Sequence, residues 1–251
     1  MSHHRFEDLN HYFQINCIES DGLPSITKLS PLLDLTEKFK AIYSPSNKIA
    51  IDESMCPFRG RFKHLVYEPN KPHKWDVKLI NECDSATGYC LGITPYLGQE
   101  TYNNNPNVSN LDERILNRCK QYRDTSYHFY CDSYYCHPNL AIEIKKLSHN
   151  ITGTIKNTRK DIPFKFASSV VKKGNIKAFS NEEGVCIIKF KDKREIHILS
   201  TENSLEFVNH KSQRGRNSKK PSIIADQGLK CCNKKICCNK FFVAIFKILL
   251  Q

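Results

Sequence analysis

The sequence predicts an α/β protein built on a mixed sheet. Short apolar runs with strand-like spacing alternate with segments of helical spacing, in the order strand, hairpin, helix, strand, helix, strand. Further hairpin-like strands follow the last helix. The 251 residues are 39% hydrophobic and 10% aromatic, enough to bury a sizeable core. A wholly disordered chain, a collagen-like repeat and a disulfide-stapled miniprotein are excluded, and no internal repeat is visible.

Leu29, Leu32, Leu33, Phe39 and Ile42 recur near the helical period, which predicts a helix over Thr27 to Tyr43. Ser44-Pro45-Ser46-Asn47 ends it, since a residue before proline avoids the helical region. Lys48 to Asp52 is a short strand-like run closing on a carboxylate. Pro69 to His73 is a turn, Trp75 to Cys83 alternates as a half-buried strand does, and Trp75 reads as core packing within it. Asp84 to Gly88 is a hairpin turn with Tyr89 to Leu97 as its return strand. Asp112 to Tyr122 suits a helix, with acids in its first turn and bases in its last. Tyr127 to Asp132 is a second apolar run ending in a carboxylate. A helix from Pro138 to Leu147 follows, with proline in its first turn, and then a strand from Ile151 to Lys156. Ile176–Phe179, Val185–Phe190 and Glu195–Ser200 complete the strands. Beyond about residue 208 the pattern decays into a basic polar stretch, a Cys/Lys segment and an apolar tail.

With 38 Lys+Arg against 26 Asp+Glu, the chain carries +12 and a pI near 9.1. That excess favours an anionic partner, either nucleic acid or an anionic membrane surface. The start lacks the apolar run of a signal peptide, so secretion is not expected. Phe241 to Leu250 is too short to span a membrane and carries Lys247, so it reads as a packed or interfacial helix. On the same grounds the twelve cysteines are expected as reduced thiols, and the sequons at Asn107 and Asn150 as accidental. No Gly-rich phosphate loop and no Gly-x-Ser-x-Gly occurs, which leaves nucleotide-hydrolase, serine-hydrolase and other small-molecule chemistry without support.

Asp52 and Asp132 each close a strand-like run. A carboxylate there is commonly a turn former. Two at the ends of neighbouring strands can also converge at one sheet edge and act as hard oxygen ligands for divalent metal. Paired ions of that kind serve phosphoryl transfer.

The surrounding text carries more. Ile51-Asp52-Glu53-Ser54-Met55, then Phe58-Arg59-Gly60-Arg61, then Pro69-Asn70-Lys71-Pro72-His73-Lys74-Trp75, resembles the first catalytic block of the piggyBac transposase family. Cys83-Asp84-Ser85, Gly88-Tyr89 and Pro95-Tyr96-Leu97-Gly98 continue the resemblance, and Cys131-Asp132-Ser133-Tyr134-Tyr135 is similar to the second block. Leu140-Ala141, Gly153-Thr154, Arg159 to Pro163, Lys191 to Arg194 and Leu199-Ser200-Thr201 follow at family-like offsets. The resemblance spans roughly residues 20–226, and Pro-Asn-Lys-Pro is its most specific part. It implies a ribonuclease H-like mixed sheet flanked by helices with an additional hairpin-rich segment, and three aspartates holding two Mg²⁺ ions for DNA strand cleavage and transfer. By position Asp52 is the first aspartate and Asp132 the second, both as catalytic residues and as metal ligands. The organisation expected is a remnant of an N-terminal helical region over 1–47, a partial catalytic core over 48–205 and a divergent basic Cys/Lys-rich tail over 206–251.

In the family the third aspartate follows a Lys-Pro and strand segment, within Gly-Gly-Val-Asp. Here Lys220-Pro221-Ser222-Ile223-Ile224-Ala225-Asp226 reaches that strand and then runs into Gln227-Gly228-Leu229-Lys230-Cys231-Cys232. Asp226 comes several residues too early, and no acid follows it. The expectation is a truncated transposase-derived chain with an incomplete metal site and no strand cleavage. A domesticated DNA- or chromatin-binding module, and an active transposase completed by another carboxylate, remain as alternatives. Cys231-Cys232 and Cys237-Cys238 lack the spacing of a zinc site, so zinc is not expected. His3, His4, His73 and His137 read as solvated or turn residues.

DNA is the partner expected, with a homodimer as the assembly to consider and no membrane contact. Arg59, Arg61, Lys63, Lys71 and Lys74 form one basic group just after Asp52. Lys211, Arg214, Arg216, Lys219 and Lys220 form another, in a stretch able to neutralise phosphates without reading bases or to serve nuclear import. A nuclear location follows from this reading.

Overall fold

The computed structural model describes residue 5 and residues 30–57, 63–69, 74–96, 111–123, 125–159, 161–202, 206–211 and 217–224. In chain order the elements are α1 (Ser30–Ile42), β1 (Lys48–Pro57), β2 (Leu65–Tyr67), β3 (Trp75–Asp84), β4 (Cys90–Pro95), α2 (Leu111–Cys119), β5 (His128–Cys131), α3 (Pro138–Lys146), β6 (Asn150–Thr154), α4 (Phe164–Ala167), β7 (Ile176–Ser180), β8 (Cys186–Lys191), β9 (Glu195–Ser200), β10 (Phe207–Lys211) and β11 (Asn217–Pro221). The chain divides into two compact units, one of residues 1–45, 52–106 and 234–251 and one of residues 46–51 and 107–233, and one of the boundaries falls inside β1, between Ile51 and Asp52.

In the unit of residues 46–51 and 107–233, the strand order is β1-β5-β6-β9-β8-β7. β1, β5 and β6 run parallel, and β9, β8 and β7 continue antiparallel. This is the mixed sheet the element order predicts. All of β5 (His-Phe-Tyr-Cys) is buried, as a strand flanked by two others requires. Gly153 on β6 lies opposite Cys131, and a Cβ there would sit 2.6 Å from Cys136 Sγ and 2.7 Å from the Cys131 carbonyl oxygen. Only glycine fits so close an approach. Lys189 is 1% exposed and donates to the Ala167 and Ser169 carbonyls, both at 3.0 Å, which ties α4 and the residues after it to β8. Burial and the Lys189 charge together hold His197 below the ordinary histidine range.

Past residue 205 the structure departs from the polar stretch expected. β10 and β11 form an antiparallel hairpin, and Ile223 and Ile224 pack with Cys186, Ile188, Phe190 and Ile198 in a buried cluster. The hairpin escapes a reading by hydropathy because Asn209, His210, Ser218 and Lys219 are polar.

In the unit that includes residues 52–106, β3 lies between β2 and β1 in the strand order and β4 also pairs with it. β1 runs past Asp52 to Pro57, longer than predicted, although Asp52, Glu53 and Ser54 are polar. Asn81 Nδ2 on β3 donates to Ser54 Oγ at 2.7 Å, so the polar continuation has a partner. β3 is buried almost throughout rather than half-buried. Its Asp84 accepts from the Ala86 amide (2.7 Å) and the Tyr43 hydroxyl (2.9 Å), which shapes the turn into β4. Tyr43 stacks on Tyr89 at 4.2 Å, and Tyr89 donates to the Phe39 carbonyl, securing α1 to this hairpin. Trp75 is 58% exposed and does not pack in the core as expected, because it sits opposite Tyr67 in the last rung at the loop end of the β2/β3 hairpin. No helix among the described residues is long and apolar enough to cross a membrane.

The tightness at Gly153 sets a direct expectation. Gly153→Ala lowers the unfolding free energy by about 1–3 kcal/mol, since neither a neighbouring backbone carbonyl nor a buried thiol can yield without strain. Urea denaturation measures it, and unchanged stability contradicts the close β5/β6 approach.

Candidate functional site

The last rung of the parallel β1/β5 ladder is Ile51 opposite Cys131. The next residue on each strand is an aspartate, Asp52 on β1 and Asp132 directly after β5. A parallel register brings equivalent positions to the same sheet edge, so the ladder itself sets these two carboxylates side by side. Among the described residues, Asp52, Glu53 and Asp132 each offer a carboxylate oxygen, and those oxygens lie within 4.8 Å of one another. All three are partly exposed.

The local geometry repeats at both aspartates. Asp52 Oδ1 accepts from the Glu53 amide at 3.0 Å, and Asp132 Oδ1 accepts from the Ser133 amide at 2.6 Å. Thr154 at the end of β6 adds a hydroxyl that donates to Asp132 Oδ1 at 3.1 Å. Glu53 Oε2 is buried with no hydrogen-bond partner. An unmatched buried carboxylate oxygen costs about 1–3 kcal/mol or more, which a cation held by the cluster would offset. Hard oxygen donors of this kind suit a divalent ion such as Mg²⁺.

The chain after Asp132 is held by its own network. The Tyr135 and Cys136 amides donate to the Asp132 carbonyl, at 3.0 and 3.1 Å. Arg159 Nη1 donates to the Ser133 and Cys136 carbonyls, at 3.2 and 2.9 Å. His137 is buried at the N-cap of α3, not solvated as its sequence context implies. Its Nδ1 accepts from the Leu140 amide at 3.4 Å, which leaves Nε2–H to donate to Asp112 Oδ1 at 2.5 Å.

Asp52 and Asp132 are therefore brought together, and sequence reasoning missed Glu53 and Thr154 as neighbours. Glu53 stands in the quoted Asp-Glu pair, so its signal was present. Thr154 becomes visible only through the β5/β6 register. Of the first basic group, Lys63 and Lys74 are exposed near the two ends of β2, while Arg59, Arg61 and Lys71 lie outside the described residues. Of the second, Lys211 ends β10, Lys219 is exposed on β11, and Lys220 Nζ lies 3.7 Å from Asp192 Oδ2. Arg214, Arg216, Asp226, His3, His4, His73 and the four tail cysteines lie outside the described residues.

A family model described as Transposase IS4, of the DDE type, matches residues 1–231. The structure is also similar to a solved piggyBac transposase in a synaptic complex with hairpin DNA, with a TM-score of 0.70 at 22% identity. The match covers 89% of this chain and 49% of that one, so the chain spans about half the length of the solved transposase. That likeness bears out the ribonuclease H-like mixed sheet.

The Arg159 network carries its own test. Arg159→Met removes two donated hydrogen bonds, costs about 1–3 kcal/mol of stability and speeds hydrogen exchange at the Tyr135 and Cys136 amides. Unchanged exchange at those amides contradicts a bracing role for Arg159.

Proposed function

The chain belongs to the Transposase IS4 family of DDE transposases, in its piggyBac branch, and on that premise we propose that it binds DNA and a divalent cation but does not cut or join DNA strands. The observation that carries this reading is the pair of converging carboxylates, Asp52 and Asp132, in a chain that offers no third aspartate where the family has one.

The family implies divalent metal, and the residues present fit it. Asp52 and Asp132 would hold the ion, with Glu53 in reach and its Oε2 otherwise unmatched. Mg²⁺ is the ion we expect there. When bound by a complete set of ligands, such ions stabilise the attacking and leaving oxygens of phosphoryl transfer. This chain's own residues orient the ligands: Thr154 and the Ser133 amide fix one oxygen of Asp132, and the Glu53 amide fixes one of Asp52. After Lys220-Pro221 the chain carries Asp226 several residues early and then Gln227 to Cys232 in place of the family's Gly-Gly-Val-Asp. Two aspartates of the family's three leave the second ion short of ligands, and the strand-transfer chemistry with it.

DNA binding rests on charge. The chain carries +12, and nine Lys/Arg stand against one acid between Lys211 and Lys240. Phosphate contacts of this kind bind without reading bases. Nuclear import through the same basic residues, and a homodimer on DNA, belong to the proposal.

One assay tests both halves of the reading. With a labelled transposon-end duplex and Mg²⁺ or Mn²⁺, the protein retains the duplex without nicking it, and the affinity falls at least tenfold between about 50 and 200 mM salt. Metal-dependent nicking that Asp52→Ala abolishes would overturn the loss of catalysis. Salt-independent retention would overturn phosphate binding.

A further inference from the structure

The chain has a single tryptophan, and the structure exposes it. Trp75 opens β3 and pairs with Tyr67, the last residue of β2, in the final rung of an antiparallel ladder. The loop beyond is closed by the Glu68 amide donating to the Lys74 carbonyl at 2.8 Å. The two rings are in contact, with centroids 4.9 Å apart and planes inclined at 48°.

A cross-strand aromatic pair stabilises a hairpin without needing solvent. Here the exposure is the informative part. Side chains two apart on a strand share a face, so Trp75 shares one with Val77 and Leu79. Val77 and Leu79 are 0% and 4% exposed, whereas Trp75 is 58% exposed and its partner Tyr67 is 47%. The aromatic pair is where an otherwise buried face emerges into water.

The charge around it is one-sided. Lys63 and Lys74 are exposed near opposite ends of β2, which is the terminal strand in the sheet order. Between residues 59 and 78 the sequence has six Lys/Arg against Glu68 and Asp76, and Asp76 is 3% exposed. Exposed aromatic rings flanked by cations make the combination that holds single-stranded nucleic acid, the base on the ring face and the phosphates on the ammonium groups. A paired base inside a duplex has no free face to offer.

We infer that Tyr67 and Trp75 form a stacking platform for an unpaired base of single-stranded DNA, with Lys63 and Lys74 taking the adjoining phosphates. The inference rests on the DNA-binding reading and goes beyond it, since phosphate contacts alone do not distinguish paired from unpaired strands.

The lone tryptophan makes its own reporter. In the full chain, titration with oligothymidylate should quench Trp75 emission, and a blunt duplex should quench it little. By anisotropy of labelled DNA, Trp75→Leu and Tyr67→Leu should each weaken oligothymidylate binding by about 5- to 100-fold, while duplex affinity changes by no more than about twofold. Trp75→Phe, which keeps a stacking face, should retain most of the affinity. Should Trp75→Leu fail to fold by circular dichroism, the wild-type quenching and the Trp75→Phe affinity decide the matter. Oligothymidylate binding that leaves Trp75 emission unchanged, at an affinity the substitutions do not alter, overturns the platform and leaves the DNA-binding reading standing. Failure of the wild-type chain to bind either oligothymidylate or duplex removes the DNA-binding reading and the platform with it.

Discussion

The parallel pairing of β1 with β5 is the constraint on which the candidate site depends. Its last rung sets Ile51 against Cys131, and in a parallel ladder the residues that follow emerge at the same edge. Asp52 and Asp132 are neighbours for that reason, although 80 positions separate their numbers in the chain. β6 extends the same logic, since its parallel register with β5 brings Thr154 to Asp132 and requires glycine at position 153. A one-residue slip would turn the carboxylates to the other face of the sheet.

Much of this was legible in the sequence. Apolar runs such as Phe129-Tyr130-Cys131 followed by aspartate locate both the strands and their functional ends. The motifs around Asp52 and Asp132 identify the family and with it the mixed sheet. Where the reading departs from the structure, the cause is physical. β2 has three residues, too few to show a period. β10 and β11 are polar strands paired with each other, so hydropathy does not reveal them. Trp75 carries a strand's alternation yet stands in the last rung at the loop end of its hairpin, where the ring is 58% exposed. His137 lacks a helical partner in sequence because it caps a helix and reaches Asp112 on a different one.

The two signs of charge have separate places in the account. Among the described residues most Lys and Arg side chains are exposed, which suits screened, sequence-independent contact with phosphate. The few acids that matter sit at strand ends, held by backbone amides and by Thr154. On the function proposed above, the scaffold keeps an ion and DNA without strand chemistry, because stability, phosphate binding and ion binding draw on different residues.

The central claim is that Asp52 and Asp132 form one cation site through the β1/β5 register. Electron paramagnetic resonance of Mn²⁺ titrated into the protein tests it most directly. The account predicts a bound ion in the wild-type chain that is lost in Asp52→Asn and equally in Asp132→Asn, with both variants still folded. Mn²⁺ binding that survives either substitution would contradict it.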